Sequence, residues 1–324
     1  MPLLKVESVR KYFPLLPSLF RKTRYFVKAV DGVTFYVNRS ERFCIVGESG
    51  SGKTTLARII AGLLVPDSGE IYIDGLAYSS LYKKGSKEIH RRVQMIFQDP
   101  YSALNPRKKI RDILERPFKI HRIPYNEEEL KQLLKLVGLS PPGEFLEKYP
   151  SQLSGGQRQR ILIARALTLK PDIIVADEPV AMLDATVKAQ ILELLNNLRS
   201  EHSLTYIMIT HDMGVAYSFC DRIAIMYLGK IMEIGNKEDI FSRPAHPYTQ
   251  LLLSSTLFPE TSSSRILDNL EDLGEPPSLA SIPKGCRFSS RCRWALNKCF
   301  LQEPKLARIG PEHYAACPVK TGVE

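Results

Sequence analysis

The sequence predicts an α/β fold built on a parallel core sheet, and three observations carry that reading. Strand-like and helix-like segments alternate along the chain, the pattern of strands joined by crossover helices. A glycine-rich loop stands between one such strand and a helix. Two further apolar runs, residues 173–176 and 206–210, each end in groups suited to phosphate chemistry: Asp177-Glu178 and His211-Asp212.

The bulk numbers permit this fold and exclude others. The chain has 324 residues, 44% hydrophobic and 25% charged, enough for one large domain and a smaller appendage, and unlike a disordered chain. No apolar run reaches the roughly 18 residues of a membrane-spanning helix. Charges interrupt the N-terminal stretch MPLLKVESVRKYF before a signal-like segment forms. The expectation is a chain kept inside the cell, brought to a membrane only by another protein. Lys and Arg number 45 against 35 Asp and Glu, a formal +10. Such an excess suits nucleic acid, lipid headgroups or phosphorylated ligands, or is simply a solvated basic surface. The densest early patch, Arg21, Lys22, Arg24 and Lys28, is too sparse to mark nucleic-acid binding.

In chain order, residues 3–9 and 33–37 read as strands, separated by an aromatic and basic insertion at about 14–28. Residues 43–47 read as a buried strand feeding the glycine-rich loop, and TTLARIIAGLL as the helix after it. Residues 69–74 (GEIYID) form the next strand. From about 99 to 167 the pattern is mainly helical, punctuated by Pro106, Pro117, Pro124, Pro141 and Pro142. Strands return at 172–176 and 204–210 around the helix VKAQILELLNNLRSEH. A β pair at 222–226 and 230–234 turns at Leu228-Gly229. Past about 254, serines and prolines such as Ser262, Ser263, Ser264, Pro276, Pro277 and Pro283 suggest a linker-rich wrap.

The loop Gly47-Glu48-Ser49-Gly50-Ser51-Gly52-Lys53-Thr54 satisfies G-x-x-x-x-G-K-[ST] in the strand–loop–helix context that the pattern needs. Its glycines let backbone N–H groups, continued into the helix at Thr55, wrap phosphates at the positive end of the helix dipole. Lys53 supplies a cation to the β and γ phosphates, and the Thr54 hydroxyl is placed for Mg²⁺. Asp177 emerges at the carboxyl end of a buried strand, where it can hold Mg²⁺ through water. Glu178 can act as the base that polarises the attacking water. His211, ending a third strand, can contact the γ-phosphate.

Leu153-Ser154-Gly155-Gly156-Gln157 resembles the LSGGQ signature of ATP-binding cassette (ABC) ATPases, and the order along the chain also matches: cradle, Gln98, signature, Asp177-Glu178, His211. The resemblance implies an ABC-type P-loop nucleotide-binding domain with a parallel core sheet, an antiparallel β subdomain and a helical signature subdomain. It implies ATP and Mg²⁺ as ligands. Gln98 takes the role of the Q-loop glutamine, touching metal and water; Glu178 is the catalytic base and His211 the switch histidine. Phe13, or less favourably Tyr12, stacks on adenine. Ala181-Met182-Leu183-Asp184 occupies the D-loop, departing from the usual pattern at Ala181 and Met182 but keeping Asp184. The signature of one subunit (Ser154, Gly155, Gly156, Gln157) is expected to close on ATP held by another subunit's cradle.

Further on, Arg243-Pro244-Ala245-His246-Pro247-Tyr248-Thr249 and Gly285-Cys286-Arg287-Phe288-Ser289-Ser290-Arg291-Cys292 resemble the C-terminal segment of oligopeptide and dipeptide importer ATPases. This implies an ATPase domain at 1–253, with its helical subdomain at about 99–167, and a small extension at 254–324. The implied partners are two permease subunits, a paralogous ATPase and an extracytoplasmic binding protein, with no nucleic acid. The implied location is the cytoplasmic face of the cell membrane. Relatives carrying nickel or oligosaccharides share this class; repair, translation and export ATPases fit the chain less well.

Cys286, Cys292, Cys299 and Cys317 are spaced C-x5-C-x6-C-x17-C. In a reducing compartment such a set suits metal before disulfides. Zinc, an iron–sulfur cluster and unligated thiols are all compatible with the residues; the resemblance favours [4Fe–4S]. Cys44 and Cys220, isolated in apolar segments, read as buried thiols.

Overall fold

The computed structural model describes residues 1–15, 26–83, 85–255, 277 and 282–321. Arg21, Lys22 and Arg24 of the basic patch, and the serines at 262–264, lie outside the described residues. The strands are β1 (Leu4–Pro14), β2 (Phe26–Val37), β3 (Arg42–Val46), β4 (Ser68–Ile73), β5 (Leu76–Ala77), β6 (Val93–Ile96), β7 (Ile173–Asp177), β8 (Thr205–Thr210), β9 (Arg222–Tyr227), β10 (Lys230–Asn236), β11 (Ala307–Gly310) and β12 (His313–Ala315).

They form two sheets. One is antiparallel, in the order β2-β1-β4-β5. The other runs β11-β12-β10-β9-β3-β8-β7-β6. Its part from β9 to β6 is parallel, and β10, β12 and β11 extend it antiparallel. The parallel strands read as continuous apolar runs because both faces are covered. Phe43, Ile45, Ile173, Val175, Ile207 and Ile209 face a core shared with the antiparallel sheet and the Lys53–Ile60 helix. The alternate residues Cys44, Val46, Ile174, Ala176, Tyr206 and Met208 face a core shared with the helical segment.

That helical segment contains Ile110–His121, Glu127–Leu136, Pro142–Glu147 and Gly155–Leu167. Pro117, expected to punctuate the pattern, sits inside the first of these. The buried stripe Ile110, Ile113, Leu114 and Phe118 holds the helix through the backbone bond that proline removes. The expected β pair turns at Leu228-Gly229 as read, with Gly229 at φ +84°.

Two readings are corrected. Cys44 and Cys220 are not separate thiols: they lie 5.9 Å apart at Cα and are joined as a disulfide. Their separation of 176 residues hid the pairing, which arises because the segment entering β9 runs beside β3. The C-terminal region is also more than a wrap, since β12 pairs with β10 and continues the main sheet. Among the described residues no helix is long and apolar enough to cross a membrane.

Candidate active site

The parallel sheet brings the expected groups to one edge. Val46 pairs with Thr210, Ile209 with Asp177, and Ala176 with Ile96. The residues that follow these strand ends therefore emerge side by side: the glycine-rich loop after β3, Gln98 after β6, Glu178 after β7 and His211 after β8. This is the carboxyl edge, where ligands bind in open α/β sheets.

The loop conformation demands its glycines at two points. A Cβ at Gly47 would meet the Met226 carbonyl oxygen at 2.1 Å. Gly52 has φ +102°, and a Cβ there would meet the Ala29 carbonyl oxygen at 2.0 Å. Lys53 Nζ donates to the carbonyls of Gly47 and Glu48, each at 2.7 Å. Burial pulls the Lys53 ammonium down to about 8, against the charges of Glu178, Asp177 and Glu48, which raise it.

A cleft of about 330 Å³ opens on this loop. Ser49, Gly50, Gly52, Lys53, Thr54 and Thr55 line one side, Gln98 and Glu178 another, and Phe13 stands at its mouth with Val27 and Ala29. Phe13 and Tyr12 differ here. Tyr12 donates its hydroxyl to Asp31 at 2.5 Å, while the half-exposed Phe13 ring faces the cleft.

Glu178 is the hub. Gln98 Nε2 donates to Glu178 Oε2 at 2.9 Å, and His211 Nδ1 lies 3.0 Å from Glu178 Oε1. Glu178 itself has φ +46°, a left-handed backbone that a non-glycine residue adopts at a cost and that often marks functional positions. Thr54 donates its hydroxyl to Asp177 at 3.2 Å. Burial raises the Asp177 carboxyl and the Glu178 charge raises it further, while Thr54, Arg58 and Lys53 oppose them. A carboxylate and a hydroxyl so placed, with the carboxylate short of positive partners, suit a divalent cation. The arrangement can thus hold phosphates on backbone N–H groups and one ammonium, and offers a carboxylate that two side chains orient toward a water.

The signature is placed elsewhere. Ser154 caps the Gly155–Leu167 helix: Ser154 Oγ accepts from the Gln157 N–H at 3.3 Å, and Gln157 Oε1 accepts from the Ser154 N–H at 3.1 Å. Gly155 lies beside Leu183 and Gly156 beneath Val187. Asp184 caps the Ala185–His202 helix by accepting from the Val187 N–H at 3.0 Å. None of these residues lines the cleft of their own chain.

The late cysteines do gather. Cys286, Cys299 and Cys317 are buried and Cys292 partly so. Burial pushes the Cys286 thiol up to about 12, and the other three sulfurs add to the rise. The N–H groups of Phe288 and Trp294 donate to the sulfurs of Cys286 and Cys292. The Ser289 hydroxyl between them is buried with no partner. Yet among the described residues no three His, Cys, Asp or Glu side chains are disposed to hold a metal ion, which bears on the zinc and the [4Fe–4S] expectations alike.

Sequence reasoning missed what holds the phosphate loop from behind. Arg291 and Tyr248 bond Glu48 from 243 and 200 residues away, and Tyr227 accepts from Arg291. The only signal was the pair of C-terminal segments, noticed for their resemblance and not for any contact.

Fold and cleft define a phosphate-loop nucleoside triphosphatase whose signature helix lies outside its own cleft. Residues 30–181 match the ABC transporter family, and residues 232–299 match the oligopeptide/dipeptide transporter C-terminal region. The oligopeptide transport ATP-binding protein AppF of Bacillus subtilis (strain 168) is 44% identical over 319 residues, covering 97% of this chain and 96% of that protein. The dipeptide transport ATP-binding protein DppF of Escherichia coli (strain K12) is 40% identical over 321 residues, covering 98% and 95%. Among solved structures, the dimeric post-hydrolysis state of the ATP-binding cassette MJ0796 bound to ADP and Pi superposes with a TM-score of 0.63 at 31% identity, covering 72% of this chain and 98% of that one. The chain belongs to the ATP-binding proteins of ABC transporters, in the oligopeptide/dipeptide transporter group, and is an ATPase that powers transport.

Proposed function

We propose that this chain hydrolyses ATP to drive import of oligopeptides or dipeptides. It works at the cytoplasmic face of the membrane with two permease subunits, a paralogous ATPase and an extracytoplasmic binding protein. The observation that carries the substrate class is the oligopeptide/dipeptide transporter C-terminal match at 232–299, in a chain that aligns over nearly its whole length with peptide transport ATP-binding proteins. The same reading divides the chain into an ATPase domain, 1–253, and an extension, 254–324.

In the proposed mechanism Lys53 and the loop N–H groups bind the β and γ phosphates, and Phe13 stacks on adenine. Thr54, Asp177 and Gln98 would hold Mg²⁺, which would offset charge on the phosphate oxygens. Glu178 takes a proton from water, oriented by Gln98 and His211. The placement of Ser154 to Gln157 and Asp184 outside the cleft supports closure of the signature onto a second ATPase's ATP. ATP then favours the closed pair and hydrolysis releases it. Cys286, Cys292, Cys299 and Cys317 would hold the [4Fe–4S] cluster, a group that would cross-link the extension.

Affinity purification of this chain from gently solubilised membranes, with mass spectrometry of its companions, tests the reading. Two permeases and a related ATPase are expected. Ribosomal or DNA-associated companions without membrane proteins would overturn the transport assignment.

A further inference from the structure

The loop between Cys286 and Cys292 turns three side chains toward the phosphate loop and its supports. Arg291 Nη1 donates to both carboxylate oxygens of Glu48, at 2.9 and 3.1 Å, and to the Tyr227 hydroxyl at 3.3 Å. Phe288 packs edge-on against Tyr227 at 5.6 Å and tilted against Tyr248 at 5.4 Å. Arg287, almost fully buried, pairs with Asp31 and donates to the Leu228 carbonyl at 3.3 Å.

Glu48 is thereby fixed at every polar group it has. Its side chain is held by Arg291, its N–H donates to the Tyr248 hydroxyl at 2.8 Å, and its carbonyl accepts from Lys53 at 2.7 Å. The next point of attachment is Ser51, whose carbonyl accepts from the Gly229 N–H at 2.8 Å. Gly229 in turn accepts from the N–H of Asp31 at 2.9 Å, and Asp31 is the Arg287 partner. Asp31 also accepts from Tyr12, the neighbour of Phe13. Two arginines on one cysteine-bearing loop therefore reach both the phosphate end and the aromatic end of the cleft. Glu48 carries the charge that matters. Paired, its carboxylate is neutralised beside the phosphate site; unpaired, it would repel the phosphates and compete for Lys53.

We propose that Arg291 is a positioning residue of the ATPase: seated in the four-cysteine module, it neutralises and orients Glu48, so that the integrity of that module sets ATP affinity. This rests on the reading of the Lys53–Thr54 loop as the ATP site. The effect is electrostatic as well as mechanical. Removing the arginine alone does harm, and removing the carboxylate with it undoes most of that harm.

The test is equilibrium titration of the purified full chain with a non-hydrolysable ATP analogue and Mg²⁺, beside thermal melting without nucleotide. Arg291→Ala is expected to weaken binding about fivefold or more, a coupling at the low end of those between linked sites. Arg291→Lys retains most of the affinity, and Arg291→Ala with Glu48→Gln recovers most of it. Cys299→Ser shifts affinity in the same direction as Arg291→Ala. Lower melting with unchanged affinity in Arg291→Ala reduces the arginine to a strap and overturns the proposal, provided Lys53→Ala has lost binding in the same assay. Unchanged affinity in both variants overturns instead the reading of the cleft on which the proposal rests. Wild-type affinity in Cys299→Ser, with Arg291→Ala impaired, detaches the effect from the cysteines and overturns that half of it.

Discussion

Two helices of this chain begin alike and do different work. Lys53–Ile60 follows Gly52 at its N-cap and Gly155–Leu167 opens on Gly155 after Ser154, and each leaves unpaired N–H groups at a positive dipole end. Around the first, the sheet edge gathers an ammonium, a hydroxyl, two carboxylates and a histidine, of which Lys53, Thr54 and Glu178 line the cleft while Asp177 and His211 bond to Thr54 and Glu178. Around the second there is a capping box that satisfies two donors locally, and beyond it Leu183 and Val187. A phosphate-suited helix start is common; the groups that surround it decide whether one chain can do chemistry there. In the proposed function the first start carries the catalytic set and the second faces ATP that another chain holds.

The comparison breaks most readily at Glu178. Glu178→Gln should lower phosphate release at least about 100-fold while ATP binding persists, because general-base catalysis is lost and the phosphate contacts are not. Turnover near wild type in the purified assembly would remove Glu178 as the base. Lys53→Ala should weaken ATP binding by the lone chain roughly 10- to 100-fold, the worth of a hydrogen bond to a charged group. Unchanged affinity in a direct binding titration would equate the two helix starts.

A pH titration sharpens the contrast. Burial leaves Lys53 at about 8 in the free protein, and phosphate charge raises it in the complex. Binding above pH 8 therefore takes up a proton. Affinity should be level below about 8 and fall as pH rises beyond it, by up to about tenfold per unit, with a flat profile in Lys53→Ala. The smallest effect is at the second helix. Ser154→Ala removes the cap and should cost about 1 kcal/mol in thermal or denaturant unfolding, with ATP affinity of the lone chain unchanged. Lost affinity there would place the signature in its own chain's site.

Much of this was legible in advance. Four of the five parallel strands, β3, β7, β8 and β9, announced themselves through apolar runs, since both faces are covered; β6, broken by Gln94, was not read as a strand. Lys53, Thr54, Asp177 and Glu178 could be assigned from local context: a turn that needs glycine, a strand end that exposes a carboxylate. His211 was readable as the third strand end with a phosphate-suited group, whereas Gln98 needed the resemblance, because a lone glutamine after a strand has no periodic signal. Phe13 and not Tyr12 lines the cleft, for a reason the chain order does not contain: Tyr12 is engaged by Asp31.

By itself, then, the sequence determined which strands would be buried, which loop would cradle phosphate and which residues would stand at strand ends, since each depends on neighbours within a few positions. Only the tertiary structure decided that Cys44 would meet Cys220, that β12 would extend the sheet from the far end of the chain, and that Arg291 would sit on Glu48 from 243 residues away. Those contacts are chosen by how sheets and loops stack in space. A single charged or sulfur-bearing side chain carries no spacing that would disclose its partner.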